Sequence, residues 1–100
     1  MSSGIGGSAT GETGQITVRY WAAARSAAGV ATDQIEAAGP VTLGEVVRRA
    51  GELHPDTRLL AVLAVCSVLV GDQPVSSSEP REVVVPPGAT VEFLPPFAGG

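Results

Sequence analysis

The alternation of apolar and polar positions predicts where the folded part of the chain begins. Ile16, Val18 and Tyr20 are separated by single polar residues, which is the period of a half-buried β-strand. An alanine-rich segment over 22–28 follows and predicts a short helix or helical turn. Gly29 directly after it is suited to a helix C-terminus, because glycine adopts the left-handed conformation without strain.

The middle of the chain predicts a weaker strand and then the main helix. The strand covers 32–37 and precedes a Gly-Pro turn. Thr42 and Glu45 have the spacing of a capping box, which satisfies free backbone N–H groups at a helix start. Pro55 ends the predicted helix at the residue before it. The residues expected on its buried face recur at helical spacing and are Leu43, Val46, Val47, Ala50 and Leu53.

The apolar segment after the main helix is harder to divide. Asp56 is a candidate N-cap for a short helix over 57–63, and 65–70 has the composition of a buried strand. Periodicity does not separate helix from strand in short apolar runs, so the boundary between them stays open.

The last third of the chain predicts short strands joined by turns. A short strand is expected at 83–85, and Pro87-Gly88 favours a type II turn before the final strand around Val91 and Phe93. One main helix packed on one face of a mixed sheet is an economical way to bury its apolar side in a small domain. The order of elements therefore predicts an α+β fold, the ubiquitin-like β-grasp.

Composition excludes several classes of function. The 100 residues suit one domain, and the net charge of −4 argues against nucleic acid or an anionic membrane as the main partner. The chain has no lysine, which excludes a Schiff base or a P-loop lysine. A single cysteine, Cys66, and a single histidine, His54, do not make a zinc site. Cys66 is expected to be a buried packing residue, and His54 to lie at the C-terminus of the main helix.

Three segments are expected along the chain. Residues 1–14 are rich in Gly, Ser and Thr and predict a flexible leader, without the basic and apolar regions of a signal peptide. Residues 15–94 form the predicted domain, and 95–100 a C-terminal tail. The longest apolar run, 59–70, is too short to span a bilayer, and cytoplasmic localisation is expected.

The candidate chemistry lies in the tail. Pro95 and Pro96 donate no backbone hydrogen bonds, so the chain is expected to leave the sheet there as an extended segment. Gly99 and Gly100 have no side chains and are suited to a narrow channel. The reactive group is then the α-carboxylate of Gly100, which needs activation. Because the chain has no ATP-binding motif, another protein must supply that step.

Two segments resemble the MoaD/ThiS group of ubiquitin-like sulfur carriers, particularly the small subunit of molybdopterin synthase. The first covers 18–29 and the second, more specific one covers 91–100. The resemblance implies that an E1-like (MoeB-like) enzyme adenylates Gly100 with ATP, and that a sulfur donor then converts it to a thiocarboxylate. It also implies that the tail enters a MoaE-like large subunit and gives its sulfur to cyclic pyranopterin monophosphate, so that the chain is not catalytic alone.

By motif position, the resemblance makes Gly100 the sulfur carrier and Gly99 the slim residue in the channel. Phe93, Pro95, Pro96 and Phe97 are the implied docking contacts, with no cofactor or metal bound by the chain itself. Two departures concern the leader and the Pro-Gly-Ala sequence at 87–89, where the family often has an Asp-Gly-Asp type of turn.

Alternatives remain open at this stage. A carrier for thiamine or cysteine synthesis, a ubiquitin-like protein modifier and a binding module would share the fold and the Gly-Gly end. Trp21 is either a partner anchor or a residue partly buried against the 22–28 segment. The missing lysines suit a carrier that must not modify itself, but a GC-rich genome that replaces lysine with arginine is the preferred explanation.

Overall fold

A computed structural model describes residues 14–75 and 82–96. The elements are numbered here in chain order. They are β1 (Gly14–Tyr20), α1 (Ala22–Ala28), β2 (Thr32–Ala37), β3 (Val41–Thr42), α2 (Leu43–Leu53), α3 (Leu59–Leu63), β4 (Ser67–Val70), β5 (Gln73–Pro74), β6 (Val84–Val85) and β7 (Thr90–Leu94).

Five strands form a mixed sheet in the order β2-β1-β7-β4-β5. β1 and β7 are parallel, with Val18 opposite Val91 and Tyr20 opposite Phe93. The other pairs in this sheet are antiparallel, and β3 pairs with β6 in a separate two-stranded sheet. This arrangement, with α2 as the main helix, confirms the predicted β-grasp. The final strand therefore lies in the centre of the sheet and leads directly into the tail.

The core lies between the sheet and the helices. It is built mainly from one face of β1, β2 and β7 and one side of each helix, so the alternation in the sequence is reproduced as alternating burial along these strands. The largest fully buried side chains are Phe93, Ile16, Leu59, Val18, Val46, Val85 and Val91. No polar or charged residue is fully buried within the described ranges.

Local sequence signals account for the ends of the helices and for one turn. Gly29 ends α1 in the left-handed conformation with φ of 79°, and the Thr42 hydroxyl accepts a hydrogen bond from the Glu45 N–H at 3.1 Å. Gly88 has φ of 90°, and the Ala89 N–H donates to the Pro86 carbonyl at 3.2 Å, as a type II turn requires. The predictions for Gly29 and for the Pro87-Gly88 turn are confirmed. Of the capping box, the Thr42 cap is formed, whereas the Glu45 carboxylate binds Arg48.

Two predictions about the helices are wrong. Leu53 is 51% exposed, because it lies beside β2, the edge strand, where no further strand covers it. The buried position near the helix end is Gly51 instead, and the Leu60 side chain lies directly over it. Asp56 does not cap α3; the Thr57 hydroxyl accepts from the Leu59 N–H at 3.1 Å and ties this helix start to the preceding turn.

The boundary between helix and strand in the apolar segment, which the sequence left open, lies between residues 65 and 67. The helical turn continues to residue 65 through a hydrogen bond from the Val65 N–H to the Val62 carbonyl, and β4 begins at Ser67. Val65 is 62% exposed and does not belong to a buried strand. β6 covers only Val84–Val85 of the expected 83–85, and the Ser-rich connection at 76–81 lies outside the described residues.

Candidate functional site: the base of the C-terminal tail

The end of β7 positions the tail. Leu94 pairs with Ser67 on β4, and on the other side the Trp21 N–H donates to the Phe93 carbonyl at 3.0 Å. Pro95 and Pro96 follow as exposed residues outside the sheet. The base of the tail is therefore held by a strand on each side, and the prolines begin where the ladder hydrogen bonds end.

The predicted site residues differ in accessibility. Pro95 and Pro96 are exposed, as contacts with a partner require. Phe93 is 1% exposed and its side chain lies in the core, so the interpretation of Phe93 as a direct docking contact is corrected. In β7 the odd-numbered positions face inward, which places Phe93 with Val91. Phe97, Gly99 and Gly100 lie outside the described residues.

A polar and aromatic cluster lies next to the tail on the outward face of the sheet, and sequence reasoning missed it as a group. The Trp21 indole N–H donates to the Glu92 carboxylate at 3.0 Å. The Arg19 guanidinium lies 5.0 Å from the centre of the Trp21 ring, a cation–π distance, and 4.0 Å from the same Glu92 oxygen. Arg19, Trp21 and Glu92 are named here the outer cluster.

The outer cluster holds an exposed aromatic ring in one orientation. Trp21 remains 40% exposed although both its ring face and its N–H are engaged. Leu69 pairs with Glu92 across β4 and β7, so its side chain lies on the same outward face. A side chain that is ordered before binding loses little entropy on contact with a partner, which makes Trp21 suitable as an anchor.

A second network lies below the sheet at the same end. The Tyr20 hydroxyl donates to Asp33 Oδ2 at 2.8 Å, and His54 Nε2 lies 2.6 Å from the same oxygen. His54 is the C-terminal cap residue of α2, as predicted, so the contact connects this helix to the edge strand β2. The Tyr20 ring also stacks on Phe93 at 6.3 Å between ring centres. The network thus supports the strand that bears the tail.

Burial raises the pKa of the Tyr20 hydroxyl, and the hydrogen bond to Asp33 and the charge of Asp33 add to this effect. The unfolded chain then loses the phenol proton first, at its ordinary pKa of about 10. We therefore expect the free energy of unfolding to decrease above this pH, by about 1.4 kcal/mol per pH unit. Since the chain has no lysine and one tyrosine, Tyr20→Phe should remove this slope.

The measurement is denaturant unfolding at several values between about pH 9 and about pH 11.5, where arginine stays charged. The parent protein and the Tyr20→Phe variant both carry Cys66→Ala in this experiment. Burial also raises the pKa of the Cys66 thiol, so the thiol would otherwise add its own pH dependence. A slope that persists in Tyr20→Phe, or a flat profile in the parent, would contradict the assignment.

The remaining candidate groups do not form a catalytic site in the described part of the chain. Cys66 is a free, half-buried thiol packed against the core. No three metal-ligating side chains come together within residues 14–75 and 82–96. Two surface grooves have linings without histidine or cysteine. The first groove is lined by Ala23, Ser26, Ala27, Thr57, Arg58 and Val62. The second groove is lined by Gln15, Gln34, Ile35, Glu36, Arg49, Glu52 and Leu53.

A family model describes the segment that contains both the folded domain and the tail. The model of the ThiS family matches residues 18–100, which include Gly99 and Gly100. The chain belongs to the ThiS family. A comparison with curated protein sequences found no match to this family member. Within 14–75 and 82–96, none of its helices is long and apolar enough to cross a membrane.

Solved structures share the fold of this ThiS family member at low sequence identity. Small archaeal modifier protein 1 from Methanosarcina acetivorans has 18% identity and a TM-score of 0.68, with 90% of this chain and 100% of that one covered. The HVO 2177 protein from Haloferax volcanii has 21% identity and a TM-score of 0.67, with 91% of both chains covered.

A third similar structure is described as molybdopterin converting factor, subunit 1, from Pyrococcus furiosus. It has 19% identity and a TM-score of 0.63, with 83% of this chain and 98% of that one covered. At these identities the three structures establish the ubiquitin-like β-grasp and leave the pathway undecided.

Proposed function

We propose that this ThiS family member is the sulfur-carrier small subunit of a molybdopterin synthase. An E1-like, MoeB-like enzyme uses ATP to adenylate the Gly100 carboxylate, and a sulfur donor displaces AMP to leave a thiocarboxylate. The tail then enters the MoaE-like large subunit and transfers its sulfur to cyclic pyranopterin monophosphate. The chain itself binds no cofactor.

The observation that carries this proposal is the way in which the tail leaves the sheet. β7 is held between β1 and β4 as far as Leu94, and the family match continues from there through Gly100. Six residues from Pro95 to Gly100 reach at most about 20 Å, enough for a channel in another protein. The Pro-Pro-Phe approach to the Gly-Gly end favours the molybdopterin pathway over carriers for thiamine or cysteine synthesis.

Intact mass spectrometry tests the carrier function. The chain is incubated with ATP, a MoeB-like activator and a sulfur donor, and a control reaction omits ATP. We expect the mass to increase by the difference between one sulfur and one oxygen, in the peptide that contains Gly100. An unchanged mass with an activator that modifies its own carrier would contradict the proposal. Restored molybdoenzyme activity in a strain without its small subunit then identifies the pathway.

A second candidate is a protein modifier conjugated through the same carboxylate. The absence of lysine is compatible with it, because the chain could not be conjugated to a lysine of its own, and small archaeal modifier protein 1 shares the fold. The same reaction mixture distinguishes the two functions when other proteins are added. A stable adduct on lysines of those proteins supports the modifier, whereas a thiocarboxylate that is consumed by the large subunit supports the carrier.

A further inference from the structure

The short helix α3 has an apolar side that is largely exposed, although its Leu60 side chain also packs over Gly51 of α2. Every side chain from Leu59 to Cys66 is uncharged and, apart from the thiol, a hydrocarbon. Leu59 and Leu63 face the core and are buried. The other side is exposed, with Leu60 at 52% and Val65 at 62%. This surface, called here the α3 face, consists of Leu60, Ala61, Ala64 and Val65.

The spacing shows that the α3 face is one continuous surface. Its members form two pairs four residues apart, and such pairs are neighbours on a helix. The Ala64 N–H donates to the Leu60 carbonyl at 3.1 Å, so the helical geometry extends beyond α3 itself. Leu59 and Leu63 anchor this segment in the core, Leu60 packs partly over Gly51, and Val65 is 62% exposed. Grouped exposed apolar side chains mark contact surfaces more often than isolated ones do.

The position of the α3 face relates it to the tail. Val65 precedes Ser67 by two residues, and Ser67 is paired with Leu94, the last residue before the tail. The chain geometry and the spacing of paired strands place the Val65 Cα within about 13 Å of the Leu94 Cα. The tail reaches at most about 20 Å from the sheet. A protein whose channel begins at the base of the tail therefore also lies close to Val65.

Beside the tail base, the outward face of the sheet supplies apolar contact from the exposed part of the Trp21 ring and from Leu69. In the outer cluster, Trp21 has the one apolar ring. The Arg19 guanidinium lies over this ring and Glu92 accepts a hydrogen bond from its N–H, so part of the ring is already in contact with polar groups. A stable interface buries about 800 Å² on each partner and has an apolar centre. The α3 face offers aliphatic surface at the same end of the molecule and extends the tail base on the helical side of the sheet.

We infer that the α3 face docks against an aliphatic or aromatic rim beside the tail channel of the large subunit. The inference rests on the proposed function, because that function supplies the protein that receives the tail. The outer cluster and the α3 face then contact the large subunit on opposite sides of the tail and fix the direction in which the tail enters.

Matched substitutions test this contact. Val65→Asp is compared with Val84→Asp, because Val84 is 61% exposed and lies in the separate two-stranded sheet. Leu60→Asp is compared with Leu53→Asp, because Leu53 is 51% exposed beside the edge strand β2. An acidic residue at position 60 lies in the first turn of α3, where the helix dipole tolerates it. Because Leu60 also packs over Gly51, thermal unfolding of every variant is measured beside its affinity, and the variant that stays folded decides.

The measurement is calorimetric affinity for the MoaE-like large subunit from the same genome. We expect Val65→Asp and Leu60→Asp to weaken binding at least about tenfold, as for residues in the apolar centre of an interface. The Val84→Asp and Leu53→Asp controls should stay within about twofold. Equal affinities in all four variants would overturn the inference.

The test separates this inference from the proposed function. If the unmodified chain acquires sulfur and binds the large subunit but the α3 variants bind equally well, only the α3 contact is wrong. If the unmodified chain neither acquires sulfur nor binds the large subunit, the proposed function fails, and the inference fails with it.

Discussion

Addition of one alanine after Gly100 is expected to abolish sulfur transfer without changing the fold. The extension moves the reacting carboxylate by about 3.5 Å along the channel. A displacement of roughly 1 Å at a reacting centre already costs on the order of 10²-fold in rate. Phe93, the last buried residue in the described chain, lies seven positions before Gly100, so stability should not change. Thermal unfolding checks the fold, and intact mass checks formation and consumption of the thiocarboxylate.

The matched control is an alanine inserted directly before Gly14. β1 and β7 are parallel, so the chain enters the sheet at Gly14 at the opposite end from Leu94, where the tail leaves. The two variants have the same mass, and only one displaces the carboxylate. We expect the control to transfer sulfur at the rate of the unmodified chain. Full activity in the C-terminal extension would contradict the role of Gly100, whatever the control does.

Features determined by neighbours in sequence could be predicted closely. The helix over 22–28 ends at Gly29, and the predicted strand at 32–37 has the observed boundaries. Thr42 caps α2 through the Glu45 N–H. In each case the signal and the structure that it specifies lie within a few residues of each other. Alternation around Val91 and Phe93 likewise predicted the final strand, which the structure places at Thr90–Leu94.

Features determined by tertiary contacts could not be predicted. Helical spacing placed Leu53 with the buried residues, but burial there depends on where the sheet ends. Gly51 is buried because Leu60 packs over it, a contact between two helices. The exposed Val65 follows from the late start of β4, which is set by its pairing with Leu94. None of these three facts has a signal in the local sequence.

The same distinction applies to the candidate site. The Pro-Pro exit and the Gly-Gly end are contiguous and could be recognised from sequence. The outer cluster could not, because Trp21 and Glu92 are 71 positions apart and meet only through the parallel register of β1 and β7. The assignment of Phe93 as a docking contact was wrong because motif position shows proximity to the tail but not the face of the strand.

Phe93→Ala is expected to destabilise the folded state by about 3–5 kcal/mol, since the side chain is fully buried and its removal leaves a cavity. The loss includes the stacking on Tyr20, whose ring centre lies 6.3 Å away. A domain of this size has a total stability of roughly 5–10 kcal/mol. The variant should therefore unfold at a temperature lower by on the order of 15–25 °C, measured by calorimetry or circular dichroism.

Leu94→Ala is the matched control, because Leu94 is the next residue on the same strand but half-buried on the opposite face. We expect it to cost about 1 kcal/mol, in proportion to the smaller apolar area that it buries. Phe93→Leu keeps most of the volume and should lie between the two, below about 2 kcal/mol. A loss of less than about 1.5 kcal/mol in Phe93→Ala would contradict the core assignment and return Phe93 to the surface that a partner contacts. A loss of about 3–5 kcal/mol in Phe93→Ala beside about 1 kcal/mol in Leu94→Ala would instead assign Phe93 to support of the tail-bearing strand from below.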